Sequence, residues 1–123
     1  MLSGDYRVGA AGPYKITANE VAIGLTMPRA AVEICRQRLT PAHFNRAVVL
    51  AELFTPADAV EAGFLDRVVP ASELRDVART TAELLTTLDL PAHAASKLRA
   101  RQPALQAIRA AIEADDSELR ILA

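Results

Sequence analysis

Glycine is confined to the front of this chain: Gly4, Gly9, Gly12 and Gly24 precede residue 25 and none follows Gly63, while alanine fills 25 of the 123 positions. Alanine is the best helix former and glycine among the worst, so the split predicts a short strand-and-turn front followed by an almost wholly helical remainder. A chain of this length buries about two-thirds of its extended surface, enough for one core and not for two. Charge is spread evenly, with 14 basic against 15 acidic residues and a formal net charge of -1. Neither half carries the basic excess that nucleic acid or an anionic membrane demands as partner. The longest unbroken hydrophobic run is Ala47 to Ala51, too short for a membrane span or a signal-peptide core. Cys35 is the single cysteine, so no internal disulfide forms and no zinc-type Cys/His spacing exists; a reducing, cytoplasmic setting is expected.

Punctuation divides the chain further. Tyr6 to Ala10 alternates as a short strand, Gly12-Pro13 marks a turn, and Tyr14 to Thr17 gives a second short strand. Two such strands do not make a stable sheet alone. Helices are expected over Arg29–Leu39, over Pro41–Leu53 with Thr40 as N-cap, and over Ala57–Ala62, where Thr55 caps, Pro56 opens and Gly63 stops. Phe64 to Val69 reads as a strand or extended link before Pro70. Ser72 opens a helix whose Leu74, Val77, Ala78, Thr81, Leu84, Leu85 and Leu88 keep the helical period, predicting one buried stripe. Two more helices, Pro91–Gln102 and Ala104 to about Leu122, are expected to part at Pro103. The second should bury Leu105, Ile108, Ile112, Leu119 and Leu122, with Asp115 interrupting the face. The natural division is 1–70 and 71–123.

One stretch points to chemistry. Ile16-Thr17-Ala18-Asn19-Glu20-Val21-Ala22-Ile23-Gly24 sets a single carboxylate among apolar residues, between an expected strand and a glycine turn. Desolvation there raises a carboxylate's pKa toward neutrality, where it can both take and return a proton. Spacing alone leaves two readings open: Glu20 as a general base, or Glu20 facing water or capping a turn.

The segments Gly4-Asp5-Tyr6-Arg7-Val8, Asn19-Glu20-Val21-Ala22-Ile23-Gly24 and Phe54-Thr55-Pro56-Ala57-Asp58-Ala59-Val60-Glu61-Ala62-Gly63-Phe64-Leu65-Asp66-Arg67-Val68-Val69-Pro70 resemble the second half of the enoyl-CoA hydratase/isomerase (crotonase) superfamily. The resemblance covers essentially the whole chain, and its Asn-Glu pair with Gly four residues on is similar to the isomerase branch. It implies that Glu20 is the proton-shuttling base; in hydratases the same position is one of two catalytic Glu residues. It also implies a spiral of ββα turns, an acyl-CoA substrate of fatty-acid metabolism, and trimers or trimer pairs closed by the C-terminal helices. No cofactor is expected, since coenzyme A arrives as part of the substrate. The thioester oxygen is expected in an oxyanion hole of two backbone N–H groups. The resemblance puts these donors, and the hydratases' other Glu, upstream in an N-terminal half that this chain is expected to lack.

Where many members run through a Gly-rich turn after Pro28, this chain has Arg29-Ala30-Ala31, which is expected to alter a pocket-side turn. With one carboxylate, taking a proton from C2 and returning it at C4 fits better than adding water, which needs a positioned water as well. Asn19 and Arg29 near the base, and Lys97 and Arg101 four apart on one helix face, are the expected substrate-binding residues. The last two would meet CoA phosphates, with a plain solvated helix face as the alternative. Gly9-Ala10-Ala11-Gly12 lacks the ending of a phosphate loop and is a turn. His43 and His93 read as surface or capping residues, Cys35 as core, and Asp115, Asp116 and Glu118 as a solvated acidic patch rather than a metal site. Ala59, Gly63 and Val69 match a helix-turn-helix skeleton, but Pro70 closes the would-be recognition helix and Arg67 is its sole cation, against DNA binding.

The expectation is an α/β chain, the C-terminal part of a crotonase-like ββα spiral, with Glu20 as general base in double-bond isomerisation or hydration. The alternative is a catalytically inert crotonase-like module for oligomerisation or partner binding. Whether the chain is an enzyme by itself is left open by the donors expected upstream.

Overall fold

Arg7 is charged yet only 9% exposed, and the front of the fold is organised around it. In the computed structural model, which describes the backbone of residues 1–122 and side chains through 118, its Nε and Nη2 meet Asp66 Oδ2 and Oδ1 at 2.8 and 3.0 Å. Its Nη1 donates to the Gly63 carbonyl at 2.7 Å, and its own carbonyl accepts from the Asp66 and Arg67 N–H groups. This fork sits where β1 (Val8–Ala10) meets β2 (Arg67–Val69), and it sets their parallel register, Val8 opposite Arg67, Gly9 opposite Val68 and Ala10 opposite Val69. The Arg7 hydrogen bond is the main cause holding the Asp66 carboxyl below the usual carboxylate range. A two-stranded parallel pair is marginal alone, and the clamp pins its leading end.

Between the strands run α1 (Arg29–Arg38), α2 (Pro41–Val48) and α3 (Pro56–Ala62). Cys35 from α1, Ala47 and Val48 from α2, Ala59 and Ala62 from α3, and Leu39, Phe54, Phe64 and Leu65 from the links form the core. Phe54 is 1% exposed, its ring tilted on Phe64 with centroids 5.4 Å apart. The expected cap of α3 is present in full: Thr55 Oγ1 accepts from the Asp58 N–H, and Asp58 accepts from the Thr55 N–H. Gly63 closes that helix at φ +94°, and a Cβ there would stand 2.5 Å from the Arg38 carbonyl oxygen. Only glycine satisfies both the left-handed turn and the close approach.

Four expectations are corrected. Tyr14–Thr17 forms no strand; only Ile16 pairs, in an isolated antiparallel bridge with Phe54 at 2.9 Å in both directions. The second helix stops at Val48 rather than Leu53, because Ala51 takes φ +51° and turns the chain so that Phe54 enters the core. Thr40 stands at the start of α2 without capping its backbone, its hydroxyl lying 2.7 Å from His43 Nδ1 instead. The last two helices are one, α5 (Leu90–Leu122), running through Pro103. Proline costs that helix one hydrogen bond, but tertiary ties hold it on both sides: Lys97 and Arg101 to Asp5, and Asp115 to the start of α1.

The buried faces of the last helices also differ from expectation. In α4 (Leu74–Leu85), entered through a 3-10 turn over Ala71–Glu73, no residue is buried, and Leu84 and Leu85, with Leu88 just beyond, lie exposed. On α5, Ile108 turns inward as expected, but Leu105 and Ile112 are exposed, and Ala104, Ala107 and Ala111 turn inward in their place. Small side chains let α5 approach α1 closely, so the alanine stripe wins over the leucine stripe. The side chains of Leu119 and Leu122 lie outside the described residues. Among the described residues no helix is long and apolar enough to cross a membrane.

Candidate functional site

Glu20 stands at the entry of a 3-10 turn, Val21–Ile23, which follows the extended stretch from Ile16 to Asn19. Its carbonyl accepts from Ile23 N at 3.1 Å and from Leu25 N at 2.9 Å. Gly24 ends the turn in the left-handed conformation, φ +79°, so the glycine four residues after Glu20 is what lets the chain turn back onto the Glu20 backbone carbonyl. The side chain is partly buried and lines a cleft of about 310 Å³ with Leu2, Thr17, Met27, Cys35 and Phe64. Within that cleft Glu20 Oε2 and Thr17 Oγ1 are both fully occluded from solvent, and neither meets a hydrogen-bonding protein group. Orphaned buried polar atoms are costly and cluster where a ligand completes them.

Cys35 borders the same cleft from α1. Burial first, then the charge of Glu20, push its thiol pKa up, so it is kept as an uncharged wall group and not a nucleophile. The other walls are mostly apolar, Ala18, Met27, Ala31, Ile34 and Phe64, with Ser3 among them. Apolar walls beside a carboxylate with one occluded oxygen are a setting in which a carboxylate can exchange a proton with carbon.

The other sequence candidates fall elsewhere. Asn19 is exposed next to Glu20 and does not line the cleft. Arg29 is bound by α5: its guanidinium reaches Glu118 and, at 3.1 Å, Asp115, which hold it protonated. Asp115 also accepts from the Arg29 and Ala30 N–H groups, both at 3.2 Å, and so caps α1, whose own N-cap, Pro28, has no side chain to do so. Partial burial pushes the Asp115 carboxyl up, but these backbone bonds and the guanidinium together bring it below its usual range. Asp115 thus caps a neighbouring helix rather than lying free in solvent; among the described residues no three or more carboxylate, histidine or cysteine side chains come together.

Lys97 and Arg101 meet Asp5 at 2.7 and 2.6 Å, with His93 Nε2 3.6 Å away. The Lys97 hydrogen bond leads the causes that lower the Asp5 pKa. The pair therefore ties α5 to the front of the chain, beside a separate apolar cavity of about 420 Å³ lined by Tyr6, Leu85, Leu88, Leu90 and His93. That cavity shares no wall with the Glu20 cleft. Asp5 and Thr17 are the residues that sequence reasoning missed. Asp5 carried no signal, its partners lying more than 90 positions away; Thr17 carried a weak one, a hydroxyl three residues before the carboxylate.

The fold is that of a known class. The family model described as enoyl-CoA hydratase/isomerase matches residues 1–119, and the chain belongs to that family. Among curated proteins it is 33% identical over 90 residues, 72% of this chain and 30% of the other, to the mitochondrial enoyl-CoA delta isomerase 1 of Mus musculus. Among solved structures, an enoyl-CoA hydratase/isomerase family protein from Pseudomonas syringae superposes with a TM-score of 0.91 at 47% identity, over 93% of this chain and 50% of that one. An enoyl-CoA isomerase of Mycobacterium tuberculosis gives 0.91 at 44% identity, over 95% and 51%. The chain thus spans about half the length of these solved relatives and less than a third of the mouse protein.

Proposed function

We propose that this chain carries the proton-transfer site of an acyl-CoA enzyme, with Glu20 as general base moving a proton between carbons of an enoyl thioester. The observation that supports this reading is the Glu20 carboxylate in its apolar cleft, one oxygen occluded and unpartnered. In double-bond isomerisation the carboxylate removes a proton from C2, the electron pair delocalises into the thioester as an enolate, and the same carboxyl returns the proton at C4. One base suffices if the acyl chain lies across it. Asn19, Arg29, Lys97 and Arg101 remain the proposed substrate-binding residues. All three cations are engaged with carboxylates of this chain, so a CoA phosphate must displace or join those pairs. A reducing, cytoplasmic setting belongs to the same proposal.

The test is deuterium incorporation at C2 and C4 of a 3-enoyl-CoA in D2O, followed by NMR, with the chain alone and with a crotonase N-terminal half supplied. Glu20→Gln is expected to slow exchange by about 10²–10⁴-fold, the usual worth of a general base. Equal exchange in both proteins overturns the assignment.

A second reading rests on a separate observation. Leu84, Leu88, Leu90 and Leu98 are each about half or more exposed, a concentration of bare leucine on α4 and the front of α5. We propose that this face serves homo-oligomerisation. Sedimentation should show an oligomer that Leu84→Lys with Leu98→Lys shifts to monomer; a wild-type monomer at all concentrations counts against it.

A further inference from the structure

The segment Met1–Asp5 belongs to no strand, since β1 begins at Val8, yet Met1, Leu2 and Ser3 form one wall of the Glu20 cleft. A turn hydrogen bond from the Gly4 N–H to the Met1 carbonyl, 3.1 Å, folds it, and the half-buried Leu2 packs against the core. Its firmest ties come from outside. Arg38, the last residue of α1, donates from Nε to the Leu2 carbonyl at 2.9 Å and from Nη2 to the Gly4 carbonyl, so one guanidinium grips the segment at two points. Its bonds go to main-chain carbonyls rather than to a carboxylate, although Asp5 and Asp66 lie near enough to act on its charge. The far end of the segment is tied through Asp5 to Lys97 and Arg101 at exposed sites, where salt screens the attraction.

We infer that Met1–Asp5 is a gate over the Glu20 cleft and that Arg38 is the positioning residue which latches it. Helix α1 serves the cleft twice, three residues apart: Cys35 lines it, and Arg38 holds another of its walls in place. With the latch closed, Cys35 is only 4% exposed. With Leu2 and Ser3 lifted, the cleft loses a wall and the thiol becomes reachable. The same opening would admit an acyl chain to the Glu20 carboxylate; that consequence rests on the proposed function, whereas the gate does not.

Cys35 is the single cysteine of the 123-residue chain, so its rate of reaction with dithiodipyridine, a small uncharged disulfide, reads the opening. Burial and Glu20, not Arg38, shift the thiol, so rates in Arg38 variants compare access. Arg38→Met keeps the aliphatic stem and removes both hydrogen bonds. Labelling should then speed up about tenfold, with the shallow urea dependence of a local opening rather than the steep one of global unfolding. Arg38→Lys, which keeps the charge and loses the fork, should fall between the two. Arg36→Met, on the same helix but bonded to Glu33, should leave the rate within about twofold. Leu2→Ala frees the segment from the core side and should also speed labelling, so the gate can be read even if Arg38→Met does not fold. Rates unchanged in both Arg38→Met and Leu2→Ala overturn the gate, as does an acceleration whose urea dependence matches global unfolding. Acceleration in Leu2→Ala with none in a folded Arg38→Met overturns the role of Arg38. The reading of Glu20 fails separately, by indifference of enoyl-CoA exchange to Glu20→Gln, a result on which thiol labelling does not depend.

Discussion

Between Cys35 and Leu65 the chain buries nine apolar residues in contact with one another, whereas α4 buries none and the described part of α5 buries Ala111 alone. The difference is not one of hydrophobicity, since the bare residues include Leu84, Leu88, Leu90 and Leu98. It is one of fixation. The front helices are short, separated by Pro41, Pro56 and the left-handed Gly63, and each stop aims the next side chain inward. The rear helices are long and regular, and α5 is tied down by charge: Asp5 on Lys97 and Arg101, and Asp115 on α1. Steric fixation and exposed ion pairs differ severalfold in worth, so substitutions in the two regions should separate cleanly.

The largest loss is expected from Gly63→Ala. It forces an L side chain to φ +94° and sets a methyl 2.5 Å from the Arg38 carbonyl oxygen, so α1 and α3 must part. Chemical denaturation should show a loss of about 3–5 kcal/mol, and a loss below about 1 kcal/mol breaks the contrast drawn above.

Asp66→Asn comes next. It strips the buried Arg7 of its counter-charge and should cost about 2–3 kcal/mol, reduced from the fully buried case because Asp66 retains some solvent. The same pair has a pH signature. The folded pKa of Asp66 lies below its unfolded value, so the stabilisation is complete above that unfolded value, about 3.9, and drains away as pH falls through the folded one. Wild-type midpoints measured from pH 6 down to pH 2 should drop more steeply than those of Asp66→Asn.

The smallest effect is expected at Asp5→Asn. This residue is exposed, and removing its charge should change global stability by less than about 1 kcal/mol. The change should show instead as faster amide exchange at the start of α5 and as greater salt tolerance of what remains. A stability loss equal to that of Asp66→Asn would mean that the Asp5 tie on α5 is worth more than an exposed ion pair.

The site was partly legible in the sequence. Glu20 stood out as a lone carboxylate in an apolar run before a glycine, and the glycine does turn the chain as such a residue should. Thr17 did not, because a hydroxyl matters only when burial removes its water, and burial is not local. The helix starts at Pro41 and Pro56 and the stop at Gly63 were readable, since φ restriction and the αL turn are properties of single residues. The stop of α2 was not, because Ala51 adopts φ +51° only to let Phe54 reach the core.

What the sequence settles by itself is local: a glycine-bearing front, capped short helices, an alanine-rich rear, and the motifs that place the chain in the enoyl-CoA hydratase/isomerase family. Tertiary structure decides which stripe of a helix counts. On α5 Ala104, Ala107 and Ala111 turn inward with Ile108 while Leu98 and Leu105 lie exposed, and Pro103 passes through without a break. Periodicity records which residues share a face, but choosing between two faces depends on the shape and charge of what lies opposite. Here that is the bare N-terminus of α1, which draws in Asp115 and with it the alanine side of the helix.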